Sequence, residues 1–281
     1  MRCDSHVHIV GPLDRYPQVA ERTYQADIAT LKQLENVSAT RAVRRFVIVQ
    51  PSFYGSDNSL LLESLDGLAG RGRGVVVVDP HITSARTLAT YAAQGVRGLR
   101  INLYSPLREK APLADRFADV AGIAHELNWH IEVIAPLAML SENARLLEKS
   151  PVLVVIDHYA VHGTFVPAQS ESRDLLRLLG LPHVWIKLSA PYRVSADPLA
   201  TKPDPAWLSA ILAAAQDRCV WGSDWPHTPP HEQQRDGAVI APYRNLRYES
   251  LVDDFVAAIG AKELAERILS ENATRLYAFE N

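Results

Sequence analysis

Short runs of β-branched and other apolar residues recur along the chain, and each is followed by a stretch in which apolar positions repeat every three to four residues. The runs predict strands over residues 3–9, 42–50, 74–79, 98–103, 130–135, 152–158, 184–189 and 219–224. The stretches between them predict helices over 28–38, 59–69, 85–93, 114–127, 137–149, 173–179, 207–215 and 251–259. Several strands are apolar on both faces, Val75-Val76-Val77-Val78 and Val152-Leu153-Val154-Val155-Ile156 among them, as suits parallel strands between a packed interior and covering helices. Gly95 and Gly180 fall just past predicted helices, and Pro112 and Pro205 just before others, the usual stop and start signals. Eight alternating βα units in 281 residues predict a (β/α)8 TIM barrel, with residues 1–281 as a single domain, rather than an open sheet.

In such a barrel the C-terminal ends of the strands surround one axis, however far apart they lie in the chain. The predicted ends carry His6 and His8, Gln50 and Ser52, His81, Arg100 and Asn102, His158, Ser189 with Arg193 beyond it, and Asp224. Period-two alternation puts His6 and His8 on one face of the first strand, with Asp4 expected on that face one step deeper as an anchor. A lone histidine is more often a satisfied core or rim group. His6, His8, His158 and Asp224 at one level instead form a candidate centre, imidazoles beside a carboxylate base, able to activate water.

Arg100 cannot shed its charge when buried, and its fork suits a substrate carboxylate. Glu132 and Lys187 are charged residues inside apolar strands and need partners. An ion pair across the interior is the plainer expectation, and tuning of the reactive carboxylate the sharper one. The connections 10–27, 159–172 and 226–247 are long and all follow strands, so they belong to the face where barrels bind ligands. Arg22, Tyr24, Tyr54 and Tyr192 are candidate pocket walls. His227 and His231 are expected in a solvated loop, and His125, His162 and His183 at the periphery.

Composition narrows the partners. With 47% hydrophobic and 22% charged residues and a formal charge of −3, the chain can bury a large core but offers no basic field for nucleic acid. No apolar run reaches spanning length, and the N-terminus enters a strand pattern directly, so no membrane partner is expected and a cytoplasmic protein is. Cys3 and Cys219 lack the spacing of a metal site and read as small buried apolar residues.

Asp-Ser-His-Val-His at 4–8, Val-Arg-Gly-Leu-Arg-Ile-Asn at 96–102, Val-Ile-Asp-His at 155–158, Trp-Ile-Lys-Leu-Ser at 185–189, Trp-Gly-Ser-Asp-Trp-Pro-His at 221–227 and Ile-Leu-Ser-Glu-Asn-Ala-Thr-Arg-Leu-Tyr at 268–277 occur in one order along the chain. In these motifs the chain resembles the amidohydrolase-related hydrolases, in the branch of 2-pyrone-4,6-dicarboxylate lactonase. The resemblance implies the same barrel, with His6, His8, His158 and Asp224 as its core set, Arg100 and Arg193 binding a small anionic lactone, and Tyr24 facing it; Ser52, at the end of the second strand, is a further candidate for substrate binding. The resemblance also implies hydrolysis without a metal cofactor: water activated by Asp224 attacks a carbonyl polarised by the three histidines. The ligands of binuclear relatives are missing, since strand 4 ends Arg100-Ile101-Asn102-Leu103 and strand 5 ends Ile134-Ala135-Pro136. The alternative is one zinc held by His6, His8, His158 and Asp224, in a hydrolase or decarboxylase. A non-catalytic barrel that binds an anion is the third reading. The branch carries a further basic residue soon after the strand 4 arginine, where this chain has Ser105-Pro106-Leu107 before Arg108 and Lys110. That departure leaves open a different lactone, such as a sugar-acid lactone or a substituted muconolactone.

Overall fold

All eight expected strands form, and they lie in chain order in one parallel sheet: β1 (Arg2–Val7), β2 (Val43–Val49), β3 (Gly72–Val76), β4 (Val96–Asn102), β5 (His130–Ile134), β6 (Val154–Ile156), β7 (Val184–Ser189) and β8 (Cys219–Gly222). The computed structural model describes residues 1–105, 112–161, 166–229 and 236–280. The sheet closes where the last strand meets the first. Val7 bridges Trp225 in parallel, the His8 amide donates to the Trp225 carbonyl at 2.8 Å, and the Asp224 amide donates to the His6 carbonyl at 2.9 Å. Gly222 permits this approach, because a Cβ there would sit 2.8 Å from His6 Cβ and 2.9 Å from its amide nitrogen. The fold is therefore the (β/α)8 barrel that the alternating pattern predicts.

Period two sorts the strand residues into two layers. One set, including Leu99, Ile101, Ile131, Val133, Val154, Ile156 and Ile186, packs in the large cluster with helix residues such as Phe117, Val120, Leu175 and Leu178. The alternate set, Cys3, Val47, Val49, Val75, Val155, Trp185 and Val220, forms a separate inner cluster with Ala273, Leu276, Tyr277 and Phe279. The C-terminal segment thus plugs the N-terminal end of the barrel. Arg73 of β3 pins it by donating to the carbonyls of Tyr277 at 3.1 Å and Ala278 at 2.9 Å, and its guanidinium lies 4.4 Å over the Phe279 ring. The helical turns that carry the plug, Lys262–Glu266, Arg267–Glu271 and Asn272–Leu276, lie beyond the last predicted helix. Both cysteines are buried and free, as expected.

Three local departures bear on the site. The predicted helix 137–149 is two, Leu137–Glu142 and Ala144–Glu148, separated at Asn143. Two of the long connections are tied together, since Gln25–Ala26 pairs in parallel with Ile240–Ala241. Strand β1 is irregular between Asp4 and Val7, and the irregularity breaks the alternation just before His6. No helix among the described residues is long and apolar enough to cross a membrane.

Candidate active site

The irregularity in β1 decides which side chains enter the barrel. Ser5 contacts Cys3 in the inner cluster, whereas Asp4 points outward. Its Oδ2 accepts from the Tyr248 hydroxyl at 2.9 Å, and its Oδ1 accepts from the amides of Ser223 at 2.9 Å and His6 at 3.2 Å. Asp4 is the anchor expected of it, but it does not share a face with His6. Burial pushes its carboxyl up to about 6.

His6 and His8 both turn toward the axis, and there they meet Asp224, delivered from just past β8. Asp224 Oδ1 lies 3.7 Å from His6 Nε2 and 3.4 Å from His8 Nε2. Its Oδ2 accepts from Arg193 Nε at 2.7 Å and from the Tyr192 hydroxyl at 2.8 Å. Oδ1 and His6 Nε2 are buried and find no hydrogen-bond partner among the described residues. One oxygen of the carboxylate is therefore committed and the other faces the imidazoles. Burial alone would raise this carboxyl, but the Arg193 guanidinium beside it outweighs burial and holds Asp224 well below the usual carboxylate range, so it stays ionised.

His158 follows β6 and packs against His6 with ring centroids 4.5 Å apart. Its Nδ1 shares a 2.8 Å hydrogen bond with the Ser189 hydroxyl at the end of β7. Strand alternation alone would aim it outward, since Val155 and Asp157 take the inner positions. A left-handed turn over His158, Tyr159, Ala160 and Val161, with φ of 50, 52, 65 and 45°, folds the side chain back over the opening. Burial first, and then the neighbouring imidazole, holds His158 well below the usual histidine value. His6 is lowered likewise by burial and by Lys187.

Beneath these rings lies a buried ionic cluster. Lys187 contacts Glu132 closely and approaches His6 Nδ1 at 3.2 Å and Asp157 Oδ1 at 3.6 Å. Asp157 Oδ1 is 3.3 Å from His6 Nδ1, and Asp157 Oδ2 is 3.6 Å from Arg100 Nη2. The expected pairing of Glu132 with Lys187 is present, but the pair bears on His6 rather than on Asp224. Asp157 was not singled out from sequence; the only signal was its place beside His158 in a strand that ends polar.

Arg100 is fixed by donating from Nη1 to the Gln50 carbonyl at 2.7 Å. It lines a cavity of about 30 Å3 against the His8, His158 and Asp224 side chains, with Tyr24, Ser52 and Arg193 also on the wall. Ser52, Arg100, Asn102 and Ser105 are shared with a neighbouring cavity of about 290 Å3 that extends to Asp79 and Arg116. The smaller space holds about one water and the larger a small organic group. Every candidate catalytic and substrate-binding side chain from the sequence reading borders this region or touches a residue that does.

Other expectations change. His227 is buried rather than solvated: its Nδ1 is 3.4 Å from the Tyr192 hydroxyl, and burial lowers it to about 4. Thr228, absent from the sequence reading, accepts from Arg193 Nη2 at 2.8 Å. His81 is exposed and outside the ring of strand-end groups. Tyr54 accepts from the Gly11 amide at 3.1 Å, and Arg22 donates to the carbonyls of Gln18 and Val19, so both brace the first loop instead of lining the pocket. His125 is exposed, and His183 half-buried against the Leu147 carbonyl, as expected. Arg108, Lys110, His162 and His231 lie outside the described residues.

Two groups of donors have the spacing of a metal site, His6 with His8 and Asp224, and His6 with Asp157 and His158. Their type suits zinc. Their charge does not, because the cluster is already balanced one for one: Asp224 by Arg193, Glu132 by Lys187, and Asp157 by Arg100 at the longer distance. A dication would add uncompensated charge in a buried setting.

The family model for amidohydrolases matches residues 3–279. Among curated proteins, a 2-pyrone-4,6-dicarboxylate hydrolase of Comamonas testosteroni is 29% identical, over 98% of this chain and 89% of the relative. A 4-sulfomuconolactone hydrolase of Hydrogenophaga intermedia is 27% identical, over 98% and 88%. Among solved structures, a probable 2-pyrone-4,6-dicarboxylic acid hydrolase of Acinetobacter baumannii with citric acid bound superposes with a TM-score of 0.80 at 26% identity, over 99% of each chain. An amidohydrolase of Burkholderia multivorans with bound zinc shares the fold, with a TM-score of 0.72 at 23% identity over the whole of both chains.

Proposed function

The chain belongs to the amidohydrolase family, and from that membership we propose that it is a lactonase, opening a small carboxylated lactone by attack of water on the ester carbonyl without a metal. The observation that carries this reading is the division of Asp224: Oδ2 is held by Arg193 and Tyr192, while Oδ1 is free toward the imidazoles of His6 and His8 in the one-water cavity. In the proposed reaction a water beside Oδ1 gives its proton to Asp224 as its oxygen bonds to the lactone carbonyl carbon. His6 and His158 face the carbonyl oxygen as it gains charge, with His8 beside the attacking water. The ring ester C–O bond then breaks, and Asp224 returns the proton to the departing ring oxygen, leaving a hydroxyl or its keto tautomer and a carboxylic acid that releases the second water proton to solvent as it ionises. Arg100, with Tyr24 and Ser52, binds the substrate carboxylate, and Arg193 serves both that carboxylate and Asp224.

The substrate class is supported by two relatives named for a pyrone dicarboxylate and a sulfomuconolactone, both small, cyclic and anionic. The test is a panel of these lactones and of sugar-acid lactones, followed by proton release before and after treatment with a chelator. Turnover of at least one acidic lactone, unchanged by the chelator, is expected. Activity lost to chelator and restored by zinc would replace the metal-free reading with a mononuclear zinc hydrolase, and anions that raise the melting temperature with no lactone opened would leave a binding protein.

A further inference from the structure

We propose that Lys187 is a positioning residue that sets the tautomer of His6, making His6 a hydrogen-bond donor and His8 an acceptor, and so keeps the two rings from sharing a metal ion. The hydrogen-bonding capacity of each partner fixes where the ring protons sit. An ammonium only donates. Lys187 Nζ stands 3.2 Å from His6 Nδ1 in hydrogen-bonding geometry, so that nitrogen presents its lone pair and the ring proton sits on Nε2. A carbonyl oxygen only accepts. The 2.7 Å contact between His8 Nδ1 and the Val49 carbonyl puts the His8 proton on Nδ1 and leaves the lone pair on Nε2. Two histidines two residues apart thus present opposite faces of their chemistry to the same oxygen, Asp224 Oδ1.

A competing partner makes Lys187 decisive. Asp157 Oδ1 lies 3.3 Å from His6 Nδ1 and would impose the other tautomer, yet it is outside hydrogen-bonding geometry and accepts no hydrogen bond among the described residues. Lys187 is held in the winning position by Glu132, both side chains being fully buried.

The inference rests on the lactonase reading and divides the labour within it. His6 Nε2–H is the donor aimed at the carbonyl oxygen. His8 Nε2 and Asp224 Oδ1, 3.4 Å apart, are two acceptors facing one small space, suited to the two O–H bonds of a single water. His8 therefore orients the nucleophile rather than polarising the carbonyl. The same arrangement denies a metal ion between His6, His8 and Asp224 a lone pair on His6 Nε2, because a ring nitrogen must be deprotonated to ligate.

Long-range proton–nitrogen NMR spectra of the 15N-labelled protein report the tautomers directly. The proton is expected on Nε2 of His6 and on Nδ1 of His8, and a His6 ring protonated on Nδ1 overturns the proposal. Cobalt(II) equilibration supplies the second readout, by metal content after desalting and by visible absorption. The wild-type protein should retain little. Lys187→Met combined with Glu132→Gln, which removes both charges together, frees His6 Nδ1 to donate to Asp157 and should retain about one cobalt per chain. Stoichiometric cobalt in the wild-type protein, or none in the folded double variant, counts against Lys187; if the double variant does not fold, the wild-type spectrum decides alone. None of these readouts uses a lactone, so a protein that opens no lactone yet shows these tautomers refutes the lactonase reading and leaves the assignment of Lys187 standing.

Discussion

At the N-terminal end of the barrel, Cys3, Val47, Val75, Val155, Trp185 and Val220 point inward and pack on Leu276, Tyr277 and Phe279; at the C-terminal end the same strands present His6, Asp157, Lys187 and, past the last of them, Asp224. The closed end follows strand alternation residue by residue. At the open end β6, β7 and β8 are each followed by a non-glycine residue in the left-handed region, His158, Ala190 and Asp224, with φ of 50, 52 and 60°. Each such residue costs about 1–2 kcal/mol. The open end also buries atoms such as Asp224 Oδ1 and His6 Nε2 that find no hydrogen bond among the described residues. The contrast teaches that stability is concentrated where side chains are apolar and aimed by the sheet, and reactivity where turns aim them against strand geometry.

Substitutions at the two ends should therefore separate function from stability. The largest effect is expected from Asp224→Asn at the open end: turnover falls by roughly 10²–10⁴-fold, while the melting temperature falls only modestly, because the charge paired with Arg193 is lost but the Asn oxygen still accepts from Arg193 and Tyr192. A matching loss of stability would erase the contrast. At the closed end, Tyr277→Ala empties part of the plug and should destabilise by about 3–5 kcal/mol in denaturant titrations, with turnover per folded molecule unchanged.

Acid should weaken the open end first. Burial lowers His227 from 6.5 to about 4, so the unfolded chain takes up the proton before the folded one does. Its contribution to stability is full above pH 6.5 and is lost as pH falls toward 4, by up to about 3 kcal/mol. His227→Gln should flatten the fall in stability across that window, and an unchanged profile would remove His227 as its cause. Asp224, held low, keeps its charge throughout, so activity should survive below pH 5. The smallest effect belongs to Thr228→Val, which removes the acceptor for Arg193 Nη2. It should cost about 0.5–1.5 kcal/mol, read as a higher KM with kcat nearly unchanged.

Much of the molecule was legible from the chain. The eight strands and most helices followed from hydrophobic period, and the candidate centre followed from polar residues at strand ends, because a closed parallel barrel gathers those ends whatever their spacing. His6 and His8 were found by alternation, although the irregularity in β1 turns Asp4 to the opposite side. Asp157 was passed over and His227 misjudged because neither the left-handed turn after β6 nor the burial of His227 at the start of the last loop leaves a periodic trace. The plug was missed because 262–276 is a broken run of short helical turns rather than one amphipathic helix.

What the sequence determined by itself was the alternation of strand and helix, the closed barrel this implies, and the identity of the groups at its mouth, since these depend on local period and on chain topology. The partner of each group was fixed only on folding: Asp224 Oδ2 given to Arg193 and Tyr192, His6 Nδ1 to Lys187, and His8 Nδ1 to Val49. Protonation and reactivity in a buried cluster are set by contacts of about 3 Å between residues far apart in the chain, and no local pattern encodes those distances.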